Sequence, residues 1–171
     1  MTSETSLDHL HAIELPTPFA VGPINVYVAD APGEPLTLID TGPRTEKARL
    51  ALEAGLERLG YALDDLERIL VSHAHVDHFG LASDLVSLSG AKVLSHRWNK
   101  HTLGDYNADR EQRVAFYGGL LRQAGVPEEV MTAVGRVTLG VRVFARPVSV
   151  KVSLDDGDTV RLAGRDWQVL H

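Results

Sequence analysis

The run His73-Ala74-His75-Val76-Asp77-His78 constrains this chain more than any other segment. It follows the apolar stretch Arg68-Ile69-Leu70-Val71-Ser72 and precedes Phe79-Gly80-Leu81-Ala82. That order predicts a buried strand, a tight loop and the start of a helix. A strand end is a rigid place from which to present side chains, and imidazole nitrogen and carboxylate oxygen are the usual ligands of zinc and similar divalent cations. Residues two apart in extended chain point the same way, so His73, His75 and Asp77 start on one side and His78 falls one step beyond. A turn there could divide the four groups between two neighbouring cations, His73 and His75 on one, Asp77 and His78 on the other. The bland alternative is a polar turn with chance histidines. With eight histidines in 171 residues a single one needs no explanation, but three beside an aspartate at a strand end do.

Ser72-His73-Ala74-His75-Val76-Asp77-His78 resembles the H-x-H-x-D-H metal-binding signature of the metallo-β-lactamase-fold hydrolases, which follows a strand and is usually preceded by Thr or Ser. Pro23-Ile24-Asn25-Val26-Tyr27-Val28 looks like that family's early strand, and Leu36-Thr37-Leu38-Ile39-Asp40-Thr41-Gly42 like its strand ending in Asp-Thr-Gly. The resemblance is good over residues 12–95 and looser to 171. It implies an α/β layered fold, a metallo-β-lactamase-like αβ/βα sandwich. It is weak on substrate, because the family holds lactamases, thioesterases, lactonases, nucleases and some oxidoreductases.

Bulk properties narrow the classes. A length of 171 residues and an apolar fraction of 44% fit one domain with a real core. No apolar run is long enough to cross a bilayer, and residues 1–11 lack the basic and apolar regions of a secretory signal, so a cytoplasmic location is expected. Without cysteine, thiolate metal sites, disulfides and a Cys nucleophile are excluded. The net charge of −6 does not favour polyanions. Arg97, Lys100, Arg110, Arg113 and Arg122 lie in one region, but Asp105, Asp109 and Glu111 dilute them, and the mixture reads as a solvated helical face.

Along the chain, residues 1–11 read as a flexible lead-in. Strands are expected at 24–29 and 36–40, joined as a hairpin by Pro32-Gly33-Glu34-Pro35. A helix is expected at 44–59, with Ala48, Leu52, Leu56 and Leu59 on one face and Gly60 as its cap, then a connector at 63–67, a strand at 68–71, a helix at 81–88 ending at Gly90, and a strand at 91–95. This alternation argues for α/β layers. Residues 96–135 turn helical, with helices at 108–124 and 127–134 and Pro127 in a first turn. The resemblance suggests a cap that helps select substrate; a packing insertion is the equal alternative. Strands follow at 148–154, 159–162 and 166–170, with Asp155-Asp156-Gly157-Asp158 as a hairpin turn, since the spacing of a calcium loop is absent.

In the resembled family, a strand like Asp166-Trp167-Gln168-Val169-Leu170 leads into a Thr-Pro-Gly-His segment whose His completes the first metal site, and a bridging Asp and a last His come later. None of these follows here, and His171 stands just before that place, so it is not assigned as a ligand. The expectation is that the 171 residues are a fragment of a longer hydrolase, with a sheet face left open and a site that binds metal weakly unless a homodimer or a partner completes the fold.

The resemblance implies two zinc ions in the intact site, with iron or manganese as alternatives. Asp77 would also orient the nucleophilic water and shuttle its proton. Asp40 would fix a ligand by hydrogen bonding or would serve as a turn cap. His96 is expected as a cap or surface group, His101, Tyr106 and Tyr117 as packed or exposed residues of the helical segment, and His9 and His11 as surface residues. The leading function is a metal-dependent hydrolase of a small ester, thioester or lactone. A phosphodiesterase or nuclease is weakened by Ala82, where RNA-processing relatives carry proline after Gly-Leu. An iron-dependent oxidoreductase and a non-catalytic binding half-domain remain as further alternatives.

Overall fold

The computed structural model describes residues 7–171. Six strands form one mixed sheet: β1 (Leu10–Leu15), β2 (Ile24–Ala29), β3 (Thr37–Ile39), β4 (Arg68–Val71), β5 (Lys92–His96) and β6 (Val152–Leu154), side by side in chain order. The first three run antiparallel as a meander, and β3 to β6 run parallel. Parallel neighbours need crossovers, and helices supply them. These are α1 (Glu46–Arg58), α2 (Val76–Phe79) with α3 (Ala82–Ser89), and a longer helical segment of α4 (Asn99–Gly104), α5 (Tyr106–Gln123) and α6 (Glu128–Gly140). A separate hairpin of β7 (Thr159–Leu162) and β8 (Arg165–Gln168) ends the chain. The fold is the α/β layered architecture expected.

Alternation along the strands sends side chains to two cores. Val26, Val28, Leu38, Ile69, Val71 and Val93 meet the helices, including Leu52 and Leu56 of α1 and Leu85 of α3. Ala29, Leu94 and Leu154 face the other way, against Val160, Leu162 and Ala163 of the terminal hairpin. Helix α1 starts at Glu46, two residues after the expected position. Thr45 caps it, its Oγ1 accepting from Ala48 N at 3.1 Å, and α3 stops at Gly90 in the left-handed conformation (φ 75°).

Several expectations are corrected. Residues 1–6 of the lead-in lie outside the described residues, and the rest of it runs into β1, which the sequence reading missed because its polar residues His11 and Glu14 interrupt the apolar pattern. The strand expected at 148–154 is confined to Val152–Leu154. Val148 and Val150 are buried on the core, and their segment is tied by Val148 N to Leu103 O (2.8 Å) and Lys151 N to Val93 O (2.9 Å). The turn at 155–158 is not a hairpin: β6 pairs with β5, so the turn carries the chain from one sheet to the other. The hairpin turn is Ala163-Gly164, both at positive φ, as a two-residue turn requires. Helix α6 continues to Gly140, packed on α5, and Pro127 is its cap residue with extended ψ rather than a first-turn residue. The second sheet face is not left open throughout. The terminal hairpin covers part of it, anchored by Glu34, which pairs with Arg161 (2.7 Å) and accepts from Gly164 N (3.1 Å), and a cleft of about 410 Å³ remains between hairpin and sheet. Among the described residues no helix is long and apolar enough to cross a membrane.

Candidate metal centre

The parallel register places the C-terminal ends of β3, β4 and β5 at one edge of the sheet, where ligands of open α/β sheets are generally bound. Asp40 follows β3, Ser72 to His75 follow β4, and His96 ends β5. The loop after β4 turns into α2, which begins at Val76 with His75 as its cap residue. Asp77 and His78 therefore sit on the first turn of a helix while His73 and His75 remain on the extended segment. This bend puts the four groups on two local segments, His73 with His75 and Asp77 with His78.

The first pair is His73 and His75, whose Nε2 and Nδ1 atoms are 3.1 Å apart. Two imidazole nitrogens on one tetrahedral zinc at its usual bond length stand about 3.3 Å apart, so the spacing fits a shared cation. The second pair is His78 and Asp77, with Nε2 and Oδ2 at 3.7 Å. The pairs adjoin, for the His73 and His78 ring centroids are 4.0 Å apart. Among the described residues no three such donors converge on one cation position.

A single carboxylate holds the back of both pairs. Asp40 accepts from Ser72 N (2.8 Å), from Ser72 Oγ (2.7 Å) and from His78 Nδ1 (2.8 Å). Ser72 Oγ also lies 3.0 Å from His73 Nδ1. A hydroxyl has one proton, and here it goes to Asp40, so His73 Nδ1 must be the donor toward Ser72. Both His73 and His78 thus keep Nδ1–H occupied and turn Nε2 outward, the arrangement by which protein groups orient metal-ligating imidazoles. Asp40 does this from a left-handed backbone (φ 60°), strained for a residue with a side chain and tolerated best by Asp and Asn. Its neighbour Thr41 clamps the loop, with N and Oγ1 donating to His78 O at 2.6 and 3.1 Å.

The same contacts set the titration of the loop. The hydrogen bond that His78 donates to Asp40 holds His78 above the ordinary histidine value, against the opposing effect of burial. Burial pushes His73 down, helped by its neighbours His78 and His75. A raised folded-state value stabilises the fold fully below the ordinary value of 6.5, and that contribution is lost as pH rises through the raised value. A lowered value, as at His73, acts in the opposite sense and costs stability as pH falls through it. Chelator-treated protein should therefore lose thermal stability on the alkaline side of the His78 window. Asp40→Asn should flatten that slope and leave the acidic one, and a melting temperature independent of pH there would contradict the assignment.

None of the remaining sequence candidates belongs to the four-residue donor set. His9 and His11 are at the opposite edge of the sheet, 3.3 and 3.1 Å from Asp30, and His11 belongs to β1 itself rather than to an irregular lead-in. His96 stacks on His171 (4.0 Å between centroids) and its Nδ1 faces Trp98 N at 3.4 Å. His101 is exposed beside Asp105, Tyr117 is exposed, and Tyr106 is buried against Phe79. The sequence reading assigned no role to Ser72, although its place before the motif was the available signal. It also took Arg110 and Arg113 for a solvated face, whereas both line a cleft beside His73 and His75.

The family model of the metallo-beta-lactamase superfamily matches residues 20–171. The chain belongs to this superfamily. It is 38% identical over 116 residues to the probable metallo-hydrolase YqjP of Bacillus subtilis, an alignment covering 68% of this chain and 35% of that protein. Among solved structures, a metallo-beta-lactamase family protein from Thermus thermophilus superposes with a TM-score of 0.74 at 28% identity, covering 95% of this chain and 51% of the other. A beta-lactamase domain protein from Burkholderia ambifaria shares the fold with a TM-score of 0.66 at 22% identity, over 94% of this chain and 46% of that one. This chain thus spans about half the length of these superfamily structures and about a third of the curated relative.

Proposed function

We propose that this chain carries the metal-binding edge of a metal-dependent hydrolase acting on an ester, thioester or lactone of a small molecule. The observation that supports it best is the outward convergence of His73 Nε2 with His75 Nδ1, and of His78 Nε2 with Asp77, while one carboxylate holds the imidazoles from behind. The donor set suits zinc, with iron or manganese also compatible with nitrogen and oxygen ligands. His73 and His75 would hold one ion, Asp77 and His78 a second. Bound there, the ions supply Lewis acidity and a water acidic enough to lose its proton near neutral pH.

The chain's own groups do the rest. Asp77 has a carboxylate at the mouth of the loop, 18% exposed, placed to accept a proton from a nucleophilic water and to pass it on. Asp40, through Ser72 and His78, fixes the imidazole orientations so that they need not reorganise during the reaction. The name of the curated relative, a probable metallo-hydrolase, agrees with this reading.

The test is zinc titration of the 171-residue chain, followed through the ring nitrogens of its histidines by two-dimensional NMR. Zinc should perturb Nε2 of His73, Nδ1 of His75 and Nε2 of His78, and leave His9, His11 and His101 unchanged. Zinc responses confined to histidines outside residues 73–78 would sink the proposal.

A further inference from the structure

The cleft beside His73 and His75 has a volume of about 260 Å³, and its far wall is built by Trp98, Asn99, Tyr106, Arg110 and Arg113 of the helical segment. Its size suits a piece of a small substrate rather than a macromolecule. The wall is fastened to the metal loop. Tyr106 is buried and meets Phe79, the residue after His78, edge to face at 5.2 Å. Asn99 Nδ2 donates to Ser95 Oγ (3.0 Å) and to Ser72 O (3.4 Å). The cleft wall and the metal ligands are therefore parts of one packed unit.

The two guanidiniums in this wall differ. Arg113 is matched by Asp109 at 2.7 Å, a buried carboxylate that Thr102 Oγ1 also contacts at 3.2 Å. Arg110 has no carboxylate partner among the described residues. Its Nε donates to Tyr106 Oη at 3.4 Å, and its Cζ lies 5.6 Å from the Tyr106 ring centroid. The aromatic ring holds the guanidinium in place and uses one of its five N–H donors, leaving the paired fork that recognises planar anions. In a chain of net charge −6, a local positive charge held on a buried aromatic inside a cleft is a specific feature.

We propose that Arg110 binds an anionic group, a carboxylate or a phosphate, on the part of the substrate remote from the scissile bond. The substrate is then an acidic ester, thioester or lactone, with its carbonyl at the metal loop and its anion against the α5 wall. This inference rests on the hydrolase reading of the loop. It adds a role for the helical segment, that of choosing substrates by charge.

The experiment uses the 171-residue chain treated with chelator, at a pH above the histidine range, and follows the Trp98 indole and Arg110 Nε–H signals by NMR. Three probes are titrated: glutarate, inorganic phosphate and the neutral isostere glutaramide. Saturable shifts should appear with glutarate or phosphate at concentrations at least tenfold below those needed for glutaramide, and the stronger of the two anions identifies the group. Arg110→Gln should weaken that anion about tenfold, and Arg110→Lys should recover part of the loss. Equal binding of anions and glutaramide to the unmodified chain, or an unchanged anion affinity in Arg110→Gln, would overturn the proposal. Zinc titration of Arg110→Gln separates the two readings. A retained histidine response with a lost anion response supports the cleft assignment, whereas a zinc response missing already in the unmodified chain counts against the hydrolase reading and not against the anion site.

Discussion

An Asp40→Ala chain should bind zinc about 10–100-fold more weakly than the unmodified chain, the loss usual when a group orienting a metal ligand is removed. The expected value lies toward the upper end because one carboxylate serves both donor pairs. It accepts His78 Nδ1 directly at 2.8 Å and holds His73 through Ser72 Oγ at 2.7 Å. Removing it frees His78 to turn and allows the Ser72 proton to point at His73 Nδ1, which favours the tautomer with its proton on Nε2, the atom needed by the metal. Ser72→Ala breaks only the second branch, so its loss should be smaller and confined to the His73 response. Competition titration against a chromophoric chelator, run on the three chains side by side, gives the affinities. An Asp40→Ala affinity within threefold of the unmodified chain, or equal losses in the two variants, would show that the carboxylate does not organise the site.

Gly80→Ala should lower stability by about 3 kcal/mol, at the upper end of overpacking costs. The position is buried and its backbone is ordinary helix (φ −54°, ψ −43°), so no conformational freedom is at stake. Space is the reason. A Cβ there would run into the carbonyl oxygens of Phe144 and Val76 and stand 2.6 Å from Arg44 N. Arg44 N and Phe144 O are bonded to each other at 2.8 Å, so the methyl group would be driven into an existing hydrogen bond between two backbone segments. The Arg44 segment cannot move alone, since Leu81 N is tied to Gly42 O (3.1 Å) and Thr41 N to His78 O (2.6 Å). Denaturant unfolding measures the loss. Because α2 carries Asp77 and His78, zinc affinity should fall as well. A midpoint shift worth less than about 0.5 kcal/mol, the range of an inert surface substitution, would refute the close-approach account.

Arg110 shows how far a linear reading goes. In sequence it stands among Asp105, Asp109, Glu111 and Arg113, a mixture that describes most solvated helices. Only the placement of α5 across the loop end of β4 and β5 shows that Asp109 is buried and matched to Arg113, while Arg110 is held on Tyr106 without a carboxylate. The metal loop is the opposite case. Its candidate donors lie within six residues, so their spacing already suggests two pairs, and the bend at His75 between them is local.

What the sequence by itself determined follows from short-range rules. The apolar segments of β2 to β5, the Gly90 stop and the histidine spacing each depend on contacts within a few residues, and all are legible in order along the chain. What the tertiary structure decided depends on partners far away. β1 exists because its edge pairs with β2, β6 joins β5 rather than β7, and Asp40 reaches Ser72 and His78 across more than thirty residues of chain. No periodicity records such contacts, since they come from the parallel register that brings the ends of β3 and β4 together. The identity of the candidate donor residues is a local property; their orientation, and the charge of the cleft beside them, are properties of the packed fold.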